Sequence, residues 1–199
     1  MTVHPIEEES YRIMRSRVDF SDWSGDDRAV VERMVHATAD ESFATTARIG
    51  SDVAARARQA LATEAPIVVD ATMVGAGITG RATRCFLADV AVAPAGTTRS
   101  AAAIRLAAER HTRGAIWVFG NAPTALVALL ELHAAGVVDP AVVVGLPVGY
   151  VGAAEAKEAL WHGPLAERAI TNRGARGGSA VAAAAVNALV RLNERTSSC

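Results

Sequence analysis

Hydrophobic residues follow two alternating patterns along the chain: short continuous apolar runs, and longer segments with apolar residues on one helical face. The short runs predict buried strands at residues 67–70, 87–92, 115–119 and 141–145. The longer segments predict helices after Pro5, from Ser24, and over residues 51–62, 100–110, 121–134, 152–160 and 178–192. Strands that alternate with helices form βαβ units. The sequence therefore predicts a single three-layer α/β domain, residues 1–199, with a mainly parallel sheet flanked by helices on both faces.

Polar residues mark where several of these elements should begin or end. Ser24 opens an S-x-x-D sequence, which is typical of a helix N-terminal cap. Asn121 is a favourable cap for the helix that follows it, and Pro123 suits the first turn because its missing N–H costs nothing there. Residues 193–199 are polar and are predicted to form a frayed tail.

Composition narrows the class of protein. Hydrophobic residues make up 51% of the 199, which excludes a disordered chain. The formal charge of −1 gives no bulk attraction to nucleic acid or to a membrane surface. The acidic residues soon after Pro5 do not fit a signal peptide, and no apolar run reaches the roughly 20 residues of a spanning helix. We expect a cytoplasmic protein with no nucleic-acid or membrane partner.

The junctions that follow strands are where a parallel α/β sheet binds its ligands. Asn121 and Ser179 each stand where a predicted helix begins, and a helix N-terminus can hold a carboxylate or phosphate. A well-capped turn at Asn121 and an ordinary flexible turn before Ser179 account for the same residues. The glycines and proline of residues 145–152 suit a large flat ligand, and no G-x-x-x-x-G-K-[ST] or G-x-G-x-x-G sequence supports a nucleotide site.

Histidine is the usual proton-transfer residue near neutral pH, and the chain has five. None of them has a metal-binding spacing, and neither of the two cysteines has a nucleophile's context. His36 lies on the second predicted helix, one turn after Glu32. From the residues alone, His36 is either an acid–base group or an exposed histidine paired with Glu32.

Taken together, the stretches at these junctions resemble the precorrin-8X methylmutase family of cobalamin biosynthesis. The resemblance runs from the first predicted helix to the last, and it includes Arg-Met-Val-His at residues 33–36 and Pro-Val-Gly-Tyr-Val-Gly at residues 147–152. The other matching stretches are residues 4–11, 70–74, 98–102, 120–126 and 176–180.

The resemblance implies an isomerase that moves a methyl group from C-11 to C-12 of precorrin-8x by a 1,5-sigmatropic shift, giving hydrogenobyrinate. It implies a corrin-type tetrapyrrole polycarboxylate as substrate, a homodimer, no redox cofactor and no protein-bound metal. It also implies that His36 is the acid–base residue and that Ser10, Thr79 and Arg99 contact the substrate. Asn121 and Ser179 join these as predicted partners for the substrate's carboxylates.

Two other functions stay open at this point. A non-catalytic corrinoid carrier would need the same binding residues. The same isomerisation on cobalt-precorrin-8, giving cobyrinate, would leave the same sequence, because the ring and not the chain holds the cobalt.

Overall fold

A computed structural model describes residues 4–197 of the chain, with side chains as far as residue 194. Helices and strands alternate along this described part, as the hydrophobic pattern predicts. The helices are α1 Pro5–Arg17, α2 Gly25–Thr38, α3 Phe43–Thr46, α4 Val53–Ala62, α5 Thr72–Gly77, α6 Arg99–Arg110, α7 Pro123–Ala134, α8 Ala153–His162 and α9 Ser179–Ser197. The strands are β1 Ala47–Ile49, β2 Ile67–Val69, β3 Thr83–Cys85, β4 Ile116–Phe119, β5 Val142–Gly145 and β6 Ala169–Asn172.

The strands form one sheet in the order β1-β6-β5-β4-β2-β3. All neighbouring pairs are parallel except β1 with β6, which is antiparallel. Val69, Val118 and Val144 lie in one row across β2, β4 and β5, so these strands end at the same edge of the sheet. The chain leaves β2 towards one face and β4 towards the other, through α5 and α7. The crevice between β2 and β4 is therefore the topological switch point, where such folds bind ligands.

Helices cover both faces of the sheet, and each face has its own apolar core. On one face α2, α4, α5 and α9 pack over the sheet around Met34, Val74 and Val186. On the other face α6, α7 and α8 pack around Ile104, Leu129 and Leu160. This confirms the predicted three-layer α/β fold. Within the described residues, no helix is long and apolar enough to cross a bilayer.

Helix α1 lies outside these layers. None of its residues is buried, and Ile6 on it is exposed. Its acidic and basic side chains pair with arginines and a glutamate of α2 and α9, while Met14 packs partly against the core. Polar contacts rather than a buried apolar stripe therefore fix most of α1.

Several details differ from the sequence predictions. Residues 87–92 contain a short 3₁₀ turn, Leu87–Asp89, instead of a strand, because the edge strand is formed earlier, by Thr83–Cys85. The Ser24 side chain makes no capping hydrogen bond, and Ala122 rather than Asn121 is the N-cap residue of α7. Helix α9 extends as far as Ser197 and Asn193 is buried in it, so the tail from residue 193 that the sequence predicts to fray overlaps the last turns of this helix, and its fraying stays a prediction. Residues 198 and 199 lie outside the described residues.

Candidate active site

His36 is half-buried in the last turn of α2. The apolar face of this helix, with Val31, Met34 and Val35, is buried in the core. Since neighbouring residues on a helix point in different directions, this packing leaves His36 on the side that α1 covers. Ala39 then ends α2 in a left-handed conformation with φ of 51°.

Two residues of α1 hold the His36 ring. The Ser10 hydroxyl lies 3.2 Å from Nδ1 of His36, within hydrogen-bond distance. The Tyr11 ring stacks on the imidazole with centroids 4.4 Å apart and an interplanar angle of 3°. With Nδ1 engaged and one ring face covered, Nε2 is the nitrogen left to exchange a proton with a ligand.

Charged neighbours favour the neutral form of His36. Burial lowers the pKa of His36, the positive charges of Arg33 and Arg191 lower it further, and only Glu7 acts in the opposite direction. Glu7 itself accepts hydrogen bonds from Arg33 at 3.0 Å and from Arg191 at 3.1 Å. The negative charge of Glu7 is therefore shared between two arginines, so Glu7 stabilises the protonated form of His36 less.

The alternative pairing of His36 with Glu32 is not what the structure shows. Glu32 is buried and accepts hydrogen bonds from Arg15 at 3.0 and 2.5 Å. Arg28 donates to the same carboxylate at 2.9 Å. The Glu32 carboxylate, one turn before His36, thus connects α2 to α1 through its ion pair with Arg15.

A cavity of about 300 Å³ lies between α1, α2 and α9. Its walls include Glu7, Tyr11, Arg33 and Arg191, which lie around His36, whereas His36 itself is not among the residues that line it. Of the described residues, three arginines and three glutamates line this cavity, and the arginines are already paired with Glu7 or Glu32, so the charges of the cavity are balanced within the protein.

Thr79 is exposed just after α5 and is tied to α9. Its amide N–H donates to Oδ1 of Asn187 at 2.9 Å, and Nδ2 of Asn187 donates to the carbonyl of Gly77 at 2.8 Å. Asn187 is buried and stands one helical turn before Arg191. Sequence analysis missed Asn187, because an asparagine inside an alanine-rich helix carries no motif.

The structure does not bring Arg99 into the contacts around His36. Its guanidinium donates to the carbonyls of Leu87 and Val90, each at 3.1 Å. These contacts fix the segment after β3 at the start of α6. Arg99 remains exposed there, with further N–H donors on its guanidinium.

The start of α7 is already occupied by an internal carboxylate. Asp70, buried at the end of β2, accepts N–H groups from Gly120, Asn121 and Ala122 at 3.0, 2.9 and 2.7 Å. These bonds close the switch-point crevice, so the amides of this turn are not free for a substrate anion. The Asn121 side chain stays exposed at the same edge. Sequence analysis did not find Asp70's role, although the polar end of the β2 run was its signal.

Ser179 stands next to this turn. A side chain on Gly120 would come within 2.9 Å of the Cα atom of Ser179, so the start of α9 and the β4–α7 turn are in close contact. Asn121 and Ser179 thus lie at one edge of the sheet. Of the two arginines before Ser179, Arg176 forms an ion pair with Asp40.

The fold and this site together define a class: an α/β protein with a positioned imidazole beside a cavity lined by paired arginines and glutamates. Among the described side chains, no group of three or more His, Cys, Asp or Glu residues is placed to hold a metal ion.

Comparison with known proteins gives the family. The sequence profile of precorrin-8X methylmutase matches residues 5–192. A precorrin-8X methylmutase from a Sinorhizobium species is 41% identical over 196 residues, covering 94% of this chain and 93% of the relative. A cobalt-precorrin-8 methylmutase from Methanothermobacter thermautotrophicus is 40% identical over 197 residues, covering 96% and 94%. The chain belongs to the precorrin-8X methylmutase family.

A solved structure agrees with this assignment. The precorrin-8x methylmutase from Thermus thermophilus superposes with a TM-score of 0.86 at 36% sequence identity, covering 96% of each chain. Membership of this family makes the protein a methyl-shifting isomerase of cobalamin biosynthesis that acts on a corrin precursor.

Proposed function

We propose that the protein moves a methyl group from C-11 to C-12 of precorrin-8x, giving hydrogenobyrinate, with His36 as the acid–base residue. The observation that carries this proposal is the placement of His36. Its Nδ1 is 3.2 Å from the Ser10 hydroxyl, and its ring is stacked on Tyr11. A ring fixed in this way presents Nε2 in one direction, as a proton-transfer group must.

The chemistry asks little of the protein beyond this. Substrate and product are isomers, and the methyl group migrates within one molecule, so no second substrate is consumed. A proton has to be supplied and taken back where charge develops on the ring. A positioned imidazole does this and contributes about 10²–10⁴-fold to the rate.

The substrate-binding residues remain part of the proposal. Ser10, Thr79, Arg99, Asn121 and Ser179 all lie where a polar atom can reach solvent, half-buried or exposed. Arg99 keeps N–H donors beyond the two that bind main-chain oxygens, and an arginine fork matches a carboxylate. In this proposal they hold the acetate and propionate groups at the rim of the ring.

We also propose that the enzyme is a homodimer, following the family resemblance. The β5–α8 loop, residues 146–152, supports this. Tyr150 on it is 101% exposed and Val151 is 89% exposed, so two adjacent large side chains project into solvent where a partner subunit could cover them. The cytoplasmic location remains a prediction of the sequence.

The test is conversion of excess precorrin-8x, followed by absorbance. We expect His36→Ala to lower turnover by about 10²–10⁴-fold while its circular dichroism spectrum and its binding of hydrogenobyrinate stay unchanged. His162→Ala is the matched control, because His162 is an exposed histidine on α8 whose partner is Glu158, and it should keep wild-type turnover.

Near wild-type turnover in a folded His36→Ala variant would remove His36 from the reaction. A wild-type protein that only shifts the spectrum stoichiometrically would be a corrinoid carrier instead. Because relatives of both names match almost equally well, the same assay is run with cobalt-precorrin-8, and the higher kcat/KM identifies the substrate.

A further inference from the structure

Lys157 is the only lysine in the chain, and it is completely buried, with 0% of its surface exposed. It lies in α8, between the β5–α8 loop and strand β6. Burial lowers the pKa of Lys157 to about 8. Burying an ammonium group is costly, and an apolar residue of similar volume would fill the same space more cheaply.

Lys157 donates hydrogen bonds to the β6–α9 loop, residues 173–178, and to Asn172, the last residue of β6. Nζ donates to the main-chain carbonyl of Arg176 at 2.6 Å and to Oδ1 of Asn172 at 3.1 Å. The buried Asn172 amide in turn donates to the carbonyls of Arg173 and Arg176 at 3.0 and 3.1 Å. Both acceptors of Lys157 are neutral oxygens, so its charge is used to hold a main-chain conformation.

The β6–α9 loop is fixed in turn against the β5–α8 loop. The amide of Gly149 donates to the carbonyl of Ala175 at 3.1 Å, and the amide of Gly178 donates to the carbonyl of Leu146 at 2.9 Å. A side chain on Gly177 would lie 2.3 Å from the same Leu146 oxygen, so the two loops touch backbone to backbone. Lys157 is thus the buried support beneath a pair of interlocked loops at the ligand-binding edge.

We infer that Lys157 is a positioning residue for the methyl shift: through Asn172 and the Arg176 carbonyl it holds the β6–α9 and β5–α8 loops together as one wall for the corrin precursor. The identity of the ligand rests on the proposed function, whereas the locking of the loops does not. Since Lys157 lies beneath both loops, its effect is on how firmly the substrate is held rather than on the proton transfer at His36.

The test compares Lys157→Met with Leu129→Ala. The Met variant keeps the length of the side chain and removes both hydrogen bonds, whereas Leu129 is a buried core residue of α7 on the same face of the sheet. For Lys157→Met we expect about tenfold faster hydrogen exchange at the Gly149 and Gly178 amides and about a tenfold higher KM for precorrin-8x, with kcat unchanged. Leu129→Ala should lower the Tm and leave the KM and these two amides as in the wild type.

Four outcomes of these experiments are distinguished. Wild-type KM and wild-type exchange at the two amides in Lys157→Met would overturn the inference, and so would the same changes in Leu129→Ala. Should Lys157→Met not fold, Asn172→Ala keeps the lysine and removes its link to the loop, and the same faster exchange is expected. A wild-type enzyme that does not convert precorrin-8x would refute the proposed function. The hydrogen-exchange rates at Gly149 and Gly178 would then be the remaining test of whether Lys157 locks the two loops.

Discussion

His36 takes its properties from its neighbours. Ser10 and Tyr11 fix the direction of its ring, and burial together with Arg33 and Arg191 lowers the pKa of His36. Of these neighbours, only Arg33 is close to His36 in the sequence, three residues before it. Ser10 and Arg191 come from helices that are distant in the sequence, so the sequence around His36 does not reveal them. The resemblance implies that Ser10 contacts the substrate, and the structure gives the Ser10 hydroxyl a contact with Nδ1 of His36.

The lowered pKa of His36 predicts how stability depends on pH. The unfolded chain binds a proton at His36 at a pH of roughly 6.5, the ordinary value, whereas the folded protein binds it only at lower pH. Between the two values the unfolded state holds more protons, so His36 favours the folded state more as the pH rises.

The measurement uses His36→Gln, which does not titrate. We expect the free energy of unfolding of the wild type, minus that of the variant, to increase from about pH 5 to about pH 8 in urea titrations. Other histidines titrate in both proteins and cancel from the difference. A difference that stays constant, or that falls as the pH rises, would show that His36 is not held in its neutral form.

At the level of single elements, the turn between β4 and α7 depends on Asp70. Burial raises the pKa of Asp70, and the three amide donors of Gly120, Asn121 and Ala122 offset part of that rise. These bonds hold the main chain of Asn121 in the turn before the helix, and α7 begins at Pro123 with Ala122 as its N-cap residue. The Asp70 carboxylate thus binds main-chain amides in the turn where the sequence analysis expected a ligand carboxylate.

We predict that Asp70→Asn lowers the free energy of unfolding by about 2–3 kcal/mol, because an amide cannot accept all three N–H groups and presents donors to donors. Urea denaturation followed by circular dichroism measures the loss. Asp89→Asn is the control, since Asp89 is exposed, and it should change stability little. Equal effects of the two substitutions would contradict this account of the turn.

A strand made only of apolar residues can be predicted from the sequence. A strand whose polar side chains find partners inside the protein cannot. β2, β4 and β5 are continuous apolar runs, and the hydrophobic pattern located all three. β6 was missed although it is buried, because its Thr171 hydroxyl donates to the Gly145 carbonyl and its Asn172 is held by Lys157. β1 and β3 are three-residue edge strands with an arginine in the middle, so pairing with a neighbour defines them and composition does not.

The candidate site follows a related rule. The resemblance implies roles for His36 and Ser10, which stand in matching stretches, and for Thr79, which stands outside them, and these roles stay predictions. Asn187 and Lys157 act through contacts between elements far apart in sequence, and such contacts leave no local pattern. The internal partner of Arg176 was hidden for the same reason, because Asp40 comes from the segment after α2.

For the whole molecule, the homodimer is the property to measure. Sedimentation velocity is expected to give a mass of twice 20.7 kDa. We expect Tyr150→Asp to shift the particle towards the mass of one chain, because a charge on the exposed β5–α8 loop would have to be buried in the interface. A wild-type protein that sediments as one chain across micromolar concentrations would refute the dimer, and a dimeric Tyr150→Asp variant would place the interface elsewhere.

The packing of α2 along α9 sets the order in which this protein can mature. Helix α2, which bears His36, is synthesised well before α9, the helix that it packs against. Until α9 has been synthesised, it cannot cover Val31 and Met34. The apolar face of α2 is then exposed and prone to aggregation. The hydrophobic core on this face of the sheet is thus complete only after α9 has docked.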